Sequence, residues 1–271
     1  EGGAARLTGH YNGKIESPRL VAAALPREAL KALRDEPLAE PALIAAWDFS
    51  RETPTTRVVD IGPNELHGRT VNLPARGMKG WNWSGREMSW RHAPEEYGAV
   101  HFHDDDFHDA GWSPDFELSV PELRSGLYAA RLRSGEAEEY VPFYVRPARG
   151  KPAAKILFLA PTASYMAYGN FLSPFYNPEN ENILGRLNVA RPQDVFLMQH
   201  PEYGRSLYDR HSDGSGVFHF SRLQPNLNMR PKSMRNDGGG GSSLRQFNAD
   251  THLIDWLSAM GHEFDVATDE D

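Results

Sequence analysis

The chain has 271 residues, a formal charge of −8 at pH 7 and no cysteine. The missing cysteine excludes disulfides, thiolate catalysis and cysteine-held zinc, so any metal must sit on His, carboxylate, Tyr or backbone oxygen. The acidic balance opposes non-specific nucleic-acid binding, since phosphates are repelled, and no apolar run approaches the ~18–20 residues that cross a bilayer.

In chain order, Tyr11-Asn-Gly-Lys-Ile15 carries an Asn-Gly turn signal. Pro26 to Leu33 predicts a short helix with proline in its first turn. Leu43 to Phe49 and Arg57 to Ile61 read as strands. From there to residue 148, Gly98–His103, Phe116–Val120, Gly126–Leu132 and Tyr140–Val145 predict short strands at the spacing of an antiparallel sandwich. Arg146-Pro-Ala-Arg-Gly-Lys-Pro152 is a linker.

The last third changes character. Ile156 to Ala160 is a continuous apolar run, as in a central parallel strand. Ala249 to Met260 has helical periodicity, with Asn248 or Asp250 as cap and Gly261 as stop. Glu263 to Ala267 follows as a strand, so the segment predicts a βαβ unit with parallel strands. Ligands bind where such strands end. That edge carries Tyr165, Tyr168 and Asp269-Glu270-Asp271. The stretch from Gly169 to Asn248 is too long for a plain loop, so it builds a site or a lid, or contains short elements of its own. Gly238 to Ser243 reads as a flexible tract.

The expected architecture is a multidomain α+β chain. Residues 1–75 form a β part with one short helix, lectin-like by the family resemblance given below, 76–150 a middle β-sandwich, and 151–271 the first part of a Rossmann-like α/β domain cut short at Asp271.

Several groups compete for the chemistry. His101-Phe-His-Asp-Asp-Asp-Phe-His108 places two imidazoles on one strand face next to carboxylates, a donor set for iron or zinc; the same residues also suit a strand running into an acidic turn. Tyr165, Tyr168, Tyr203 and Tyr208 are phenols that a ferric ion would ionise, or rings that simply pack. His200 and His211 stand near Tyr208 as acid–base groups or as ordinary hydrogen-bonding residues. Ser164 and Ser206 lack a Gly-x-Ser-x-Gly elbow, and Gly238–Gly241 lacks the Lys-Ser/Thr of a phosphate loop.

Several motifs together resemble the large-subunit family of N,N-dimethylformamidase. They are Thr162-Ala-Ser-Tyr-Met-Ala-Tyr-Gly-Asn170, Arg205-Ser-Leu-Tyr208 with His211-Ser-Asp-Gly-Ser-Gly216, Met229-Arg-Pro231, Phe247 to Leu257, and Phe264-Asp-Val-Ala-Thr-Asp-Glu-Asp271. Trp47-Asp-Phe-Ser50, Leu66-His-Gly68, Tyr97 to Asp106 and Phe143-Tyr-Val-Arg-Pro147 are similar too, and Tyr11 to Arg19 looks like the tail of a laminin-G/concanavalin-like domain. The resemblance implies a glutamine-amidotransferase-like C-terminal domain in a cytoplasmic bacterial amidohydrolase. It implies a mononuclear iron, Fe(III), held by two tyrosines and a glutamate, a small accessory subunit and an oligomer. Carried over, the tyrosines are Tyr168, with Tyr165 as substitute, and Tyr208. The glutamate belongs to a His-Pro-Glu-Tyr motif expected beyond Asp271, and the His200-Pro-Glu-Tyr203 tetrapeptide is not its counterpart. His211 is the expected proton donor, and Phe171, Phe175 and Asn170 the expected substrate pocket. The competing expectation is an inactive ligand- or carbohydrate-binding relative with a degenerate α/β domain.

Overall fold

The computed structural model describes residues 9–32, 42–172, 189–227, 229–230 and 247–271, with residues 182, 185 and 187 between them. The chain divides into two compact units, Glu1–Asp106 and Phe107–Asp271.

The first unit is mostly strands. They are β1 (Gly13–Glu16), β2 (Arg19–Val21), β3 (Leu43–Asp48), β4 (Arg57–Asp60), β5 (Gly68–Arg69), β6 (Ala75–Met78) and β7 (Ala99–Phe102), with helix α1 at Arg27–Ala32. They form one antiparallel sheet in the order β1-β7-β6 and another in the order β2-β3-β4-β5. Both sheets feed one apolar cluster, in which Phe49 and Val58 meet Val100, flanked by Ile15, Trp47 and Phe102. Each such side chain contributes roughly 1.5–3 kcal/mol by leaving water.

Charged groups lock the turns around this core. The Asp60 carboxylate accepts the backbone N–H groups of Ala46 (2.8 Å), Gly62 (2.7 Å) and Leu66 (2.8 Å). Burial alone would raise its pKa, but these three bonds win and hold it below the usual value. Arg76 donates to four carbonyl oxygens, those of Thr55, Arg57, Phe49 and Arg51, at 2.6–3.2 Å.

The expected middle sandwich does not stand as a module. Its strand β7 pairs back to β1, with Ile15 opposite Val100. Its later strands form a separate hairpin in the second unit. Phe116–Val120 is not a strand. Pro114 and Pro121 bracket it, neither can donate to a ladder, and Phe116 and Leu118 lie exposed.

In the second unit, β8 (Gly126–Ser134) and β9 (Ala137–Val145) form that hairpin, its turn made with Gly135 at φ 59°. Next come β10 (Ile156–Ala160), α2 (Thr162–Ala167), α3 (Pro192–Gln199), α4 (Phe247–Ala259) and β11 (Phe264–Thr268). β10 and β11 are parallel, as expected, paired from Ile156–Phe264 to Ala160–Thr268. Ala160, Tyr165 and Phe247 form the core, and Leu127, Tyr144, Phe158, Tyr168 and Met229 pack against it. Asp265 ties the entry to β10 by accepting from the N–H groups of Ala153 (2.8 Å) and Ala154 (3.0 Å). The long stretch after Gly169 does contain short elements: α3, whose Arg191 N–H bonds the Asp194 carboxylate at 3.0 Å, and a 3-10 turn at Pro201–Tyr203. Among the described residues no helix is long and apolar enough to cross a membrane.

Candidate functional site

Strand β10 passes through Pro161 directly into α2, a helix too short for its sequence to show a period. The two tyrosines of α2 and its C-terminus take different environments. Tyr165 points inward and is 1% exposed. Its ring meets Phe247 edge-on at 5.5 Å, and its hydroxyl donates to the Asp250 carboxylate on α4. Burial first, and then that bond, push the phenol pKa far up. Burial likewise pushes Tyr144 up to about 12. Tyr165 is therefore a protonated donor inside the core.

Tyr168 ends α2, partly buried against the same core. Its ring stacks on Tyr208, with centroids 4.2 Å apart and planes 10° off parallel. Phe171 closes the group edge-on, at 6.4 Å from Tyr168 and 5.8 Å from Tyr208. Tyr208 is about half exposed. The sequence marked both tyrosines, but nothing in it says that they stack.

Buried polar groups hold the surrounding loops. Asn170 has φ 56°, a left-handed conformation that asparagine tolerates better than most residues. Its side-chain amide donates to Pro225 O (2.6 Å) and Gly204 O (3.4 Å) and accepts from Leu227 N–H (3.1 Å). The amide is thus committed to three backbone positions. Gly169 is required by close approach, since a Cβ there would lie 2.5 Å from the Phe220 ring. Beside these loops is a cavity of about 130 Å³ whose walls include Asn170, Leu172, Leu197, Met198, Arg205 and Asp209. Phe175 lies outside the described residues.

His211 is 5% exposed and sits at the base of a tight loop. Its N–H bonds Ser215 O and its carbonyl accepts Gly214 N–H, both at 2.9 Å, and an Arg210–Gly216 bridge closes the loop. His200 bonds Glu202 at 2.9 Å and lies against Phe196 at 4.4 Å. One pairing carries no sequence signal. His108 and His219, far apart in the chain, bring ring nitrogens within 3.0 Å. Burial, and then His108, depress the His219 pKa.

In the first unit, His101 and His103 are buried with ring centroids 4.1 Å apart. Asp106 accepts the His103 backbone N–H at 3.0 Å and lies 3.4 Å from its Nδ1. Imidazole and carboxylate are side chains of the kinds that ligate metals.

The structure is that of a mixed α+β chain in which Tyr168, at the end of the helix after β10, stacks on Tyr208. The family follows from the sequence match. The chain belongs to the N,N-dimethylformamidase beta subunit-like, C-terminal family, whose profile matches residues 75–271. It is 43% identical over 270 residues to the N,N-dimethylformamidase beta subunit of Paracoccus aminophilus and 42% identical over 270 residues to that of Alcaligenes sp. Each match takes in 97% of this chain and 35% of the relative, so the chain spans about a third of the length of these relatives.

Proposed function

We propose that the full-length protein is a metal-dependent amidohydrolase that cleaves the C–N bond of N,N-dimethylformamide, or of a similarly small formamide, to formate and the amine. The observation that carries this reading is the Tyr168–Tyr208 stack, on a chain related to N,N-dimethylformamidase beta subunits. Two phenols on stacked rings are a donor type suited to a mononuclear iron, because a ferric ion favours phenolate and inverts the usual pKa preference. Tyr168 and Tyr208 are the proposed ligands, completed by a carboxylate from the rest of the polypeptide. Tyr165, protonated and bonded to Asp250, supports the core beneath them and is not a ligand in this assignment. Iron held there would supply a Lewis acid for the formyl oxygen and lower the pKa of a water.

The remaining work falls to the chain's own groups. Leu172, Leu197 and Met198 give the cavity an apolar side suited to N-methyl groups, beside the polar Asn170, Arg205 and Asp209. Asn170 shapes that wall with both amide protons already given to backbone carbonyls. Phe171 screens the tyrosine pair with its edge. His211 is the proposed proton donor to the departing amine. The reading includes a bacterial cytoplasmic location, a small accessory subunit in an oligomer, and contacts with the rest of the protein's own chain. The relatives' designation as a beta subunit supports the accessory subunit.

The test is iron analysis, visible spectroscopy and formate release on the full-length protein. The expected result is bound iron with a phenolate-to-iron band. Tyr208→Phe abolishes the band and lowers turnover at least ~100-fold. An unchanged band in both Tyr168→Phe and Tyr208→Phe removes the ligand assignment. Absence of iron and of turnover in the wild type favours the binding-protein expectation instead.

A further inference from the structure

We infer that Ser206 is a positioning residue for the tyrosine pair: its buried hydroxyl bridges the two segments that carry Tyr168 and Tyr208 and sets how their rings meet. This rests on the proposed role of that pair, although the bridge itself is seen directly.

Ser206 is 0% exposed. Its Oγ donates to Ala167 O at 2.9 Å and accepts the Tyr208 N–H at 3.3 Å. A serine hydroxyl has one proton to give and lone pairs to receive, so a single atom joins the residue before Tyr168 to Tyr208 itself. Ala167 is the last residue of α2, where helix carbonyls lack partners within the helix. The hydroxyl satisfies one of them from a different part of the chain.

The turn that carries Ser206 does not need this hydroxyl in order to close. The Ser206 N–H donates to the Asp209 carboxylate at 3.0 Å, and the Asp209 N–H returns to Ser206 O at 3.0 Å. The Oγ bond from Tyr208 N–H lies within this turn, and its bond to Ala167 O ties the turn to the end of α2. Metal ligands work only when held to within roughly 0.5 Å. Tyr208 is about half exposed, so packing alone holds its ring loosely, and a backbone anchor on Tyr208 is where precision has to come from.

The experiment uses the full-length protein. In the metal-free form, stacked tyrosines give a near-ultraviolet circular-dichroism couplet, identified by its loss in Y208F. S206A is expected to reduce this couplet toward the Y208F level while far-ultraviolet dichroism stays at wild-type strength. In the iron-loaded form, S206A is expected to displace the phenolate-to-iron band and to lower kcat about tenfold with KM changed less than about twofold. S206C, close in size but a weak hydrogen-bond partner, is the second variant and is expected to behave as S206A does. A wild-type couplet in folded S206A or S206C overturns the proposal. Failure of both variants to fold also overturns it, since the hydroxyl is then a general brace. If the wild type binds no iron, the metal reading falls, while the couplet still decides the role of Ser206.

Discussion

The two units use buried polar groups differently. In the first, Asp60 reaches Ala46, Gly62 and Leu66, which are 14, 2 and 6 residues away. In the second, Ser206 reaches Ala167 across 39 residues, Asn170 reaches Leu227 across 57, and Tyr165 reaches Asp250 across 85. Asp60 closes the turns around β3 and β4, while Arg76 and the β1–β7 pairing bring more distant chain into the first unit. The ties in the second unit gather loops that have no sheet to align them. Loop-borne sites depend on such side-chain ties, because loops lack the repeating ladder that positions a strand.

Breaking the anchor in each unit gives the sharpest contrast. Asp60→Ala leaves three backbone N–H groups without their acceptor and is expected to cost about 3–4 kcal/mol in urea unfolding. Turnover per folded molecule is expected to stay near wild type. Asn170→Ala loses three bonds and places alanine at positive φ, with an expected cost of about 2–3 kcal/mol. Here iron content and turnover are expected to fall with stability. Equal loss of turnover in both variants would erase the distinction between a scaffold anchor and a site anchor.

A pH series sharpens the comparison with smaller effects. The His219 pKa is depressed by folding, so the unfolded chain takes up the proton first. Stability from this group is complete above the unfolded histidine value of ~6.5 and declines as pH falls through it. The Tyr144 and Tyr165 pKa values are raised, so their contribution is complete below pH ~10 and is lost as pH rises past it. Asp60 in the first unit is depressed, and its contribution is lost only as pH falls below the ordinary carboxylate range. Probes in the second unit should therefore report the weakening due to His219 as pH falls through ~6.5, while the loss from Asp60 in the first unit comes only at more acidic pH. A His219→Asn variant with the same acid limb as wild type would exclude His219 as the cause.

The smallest effect is expected at Glu138. The Tyr140 hydroxyl and Arg131 hold its carboxyl down at about 2. The group stands in solvent on a hairpin, where screening and side-chain entropy cancel most of the gain. Glu138→Gln should move the urea midpoint least of all these variants.

The same contrast explains what the sequence made readable. β3, β4, β7, β10, α4 and β11 follow from alternation, apolar runs and helical period, because those signals are local. The parallel pairing of β10 and β11 follows from the reversing helix between them. The separation of β7 from β8 and β9 does not, since it depends on β1 outcompeting nearer strands for the edge of β7. α2 is too short to show a period, and its proline-led start resembles a loop. At the site, Tyr168 and Tyr208 were visible as residues and through family likeness. Their stacking, the burial of Tyr165, the commitment of Asn170 to backbone groups and the His108–His219 contact are three-dimensional facts with no signature along the chain.

Strand β10 leaves Leu157 and Leu159 at 59% and 56% exposure. Parallel strands normally have both faces covered. A sample of this chain alone would therefore offer neighbours a greasy ribbon, and its light scattering should climb with concentration and with added sulfate. Surfactant or dilute storage is the practical remedy, and Leu157→Lys with Leu159→Glu is the engineered one.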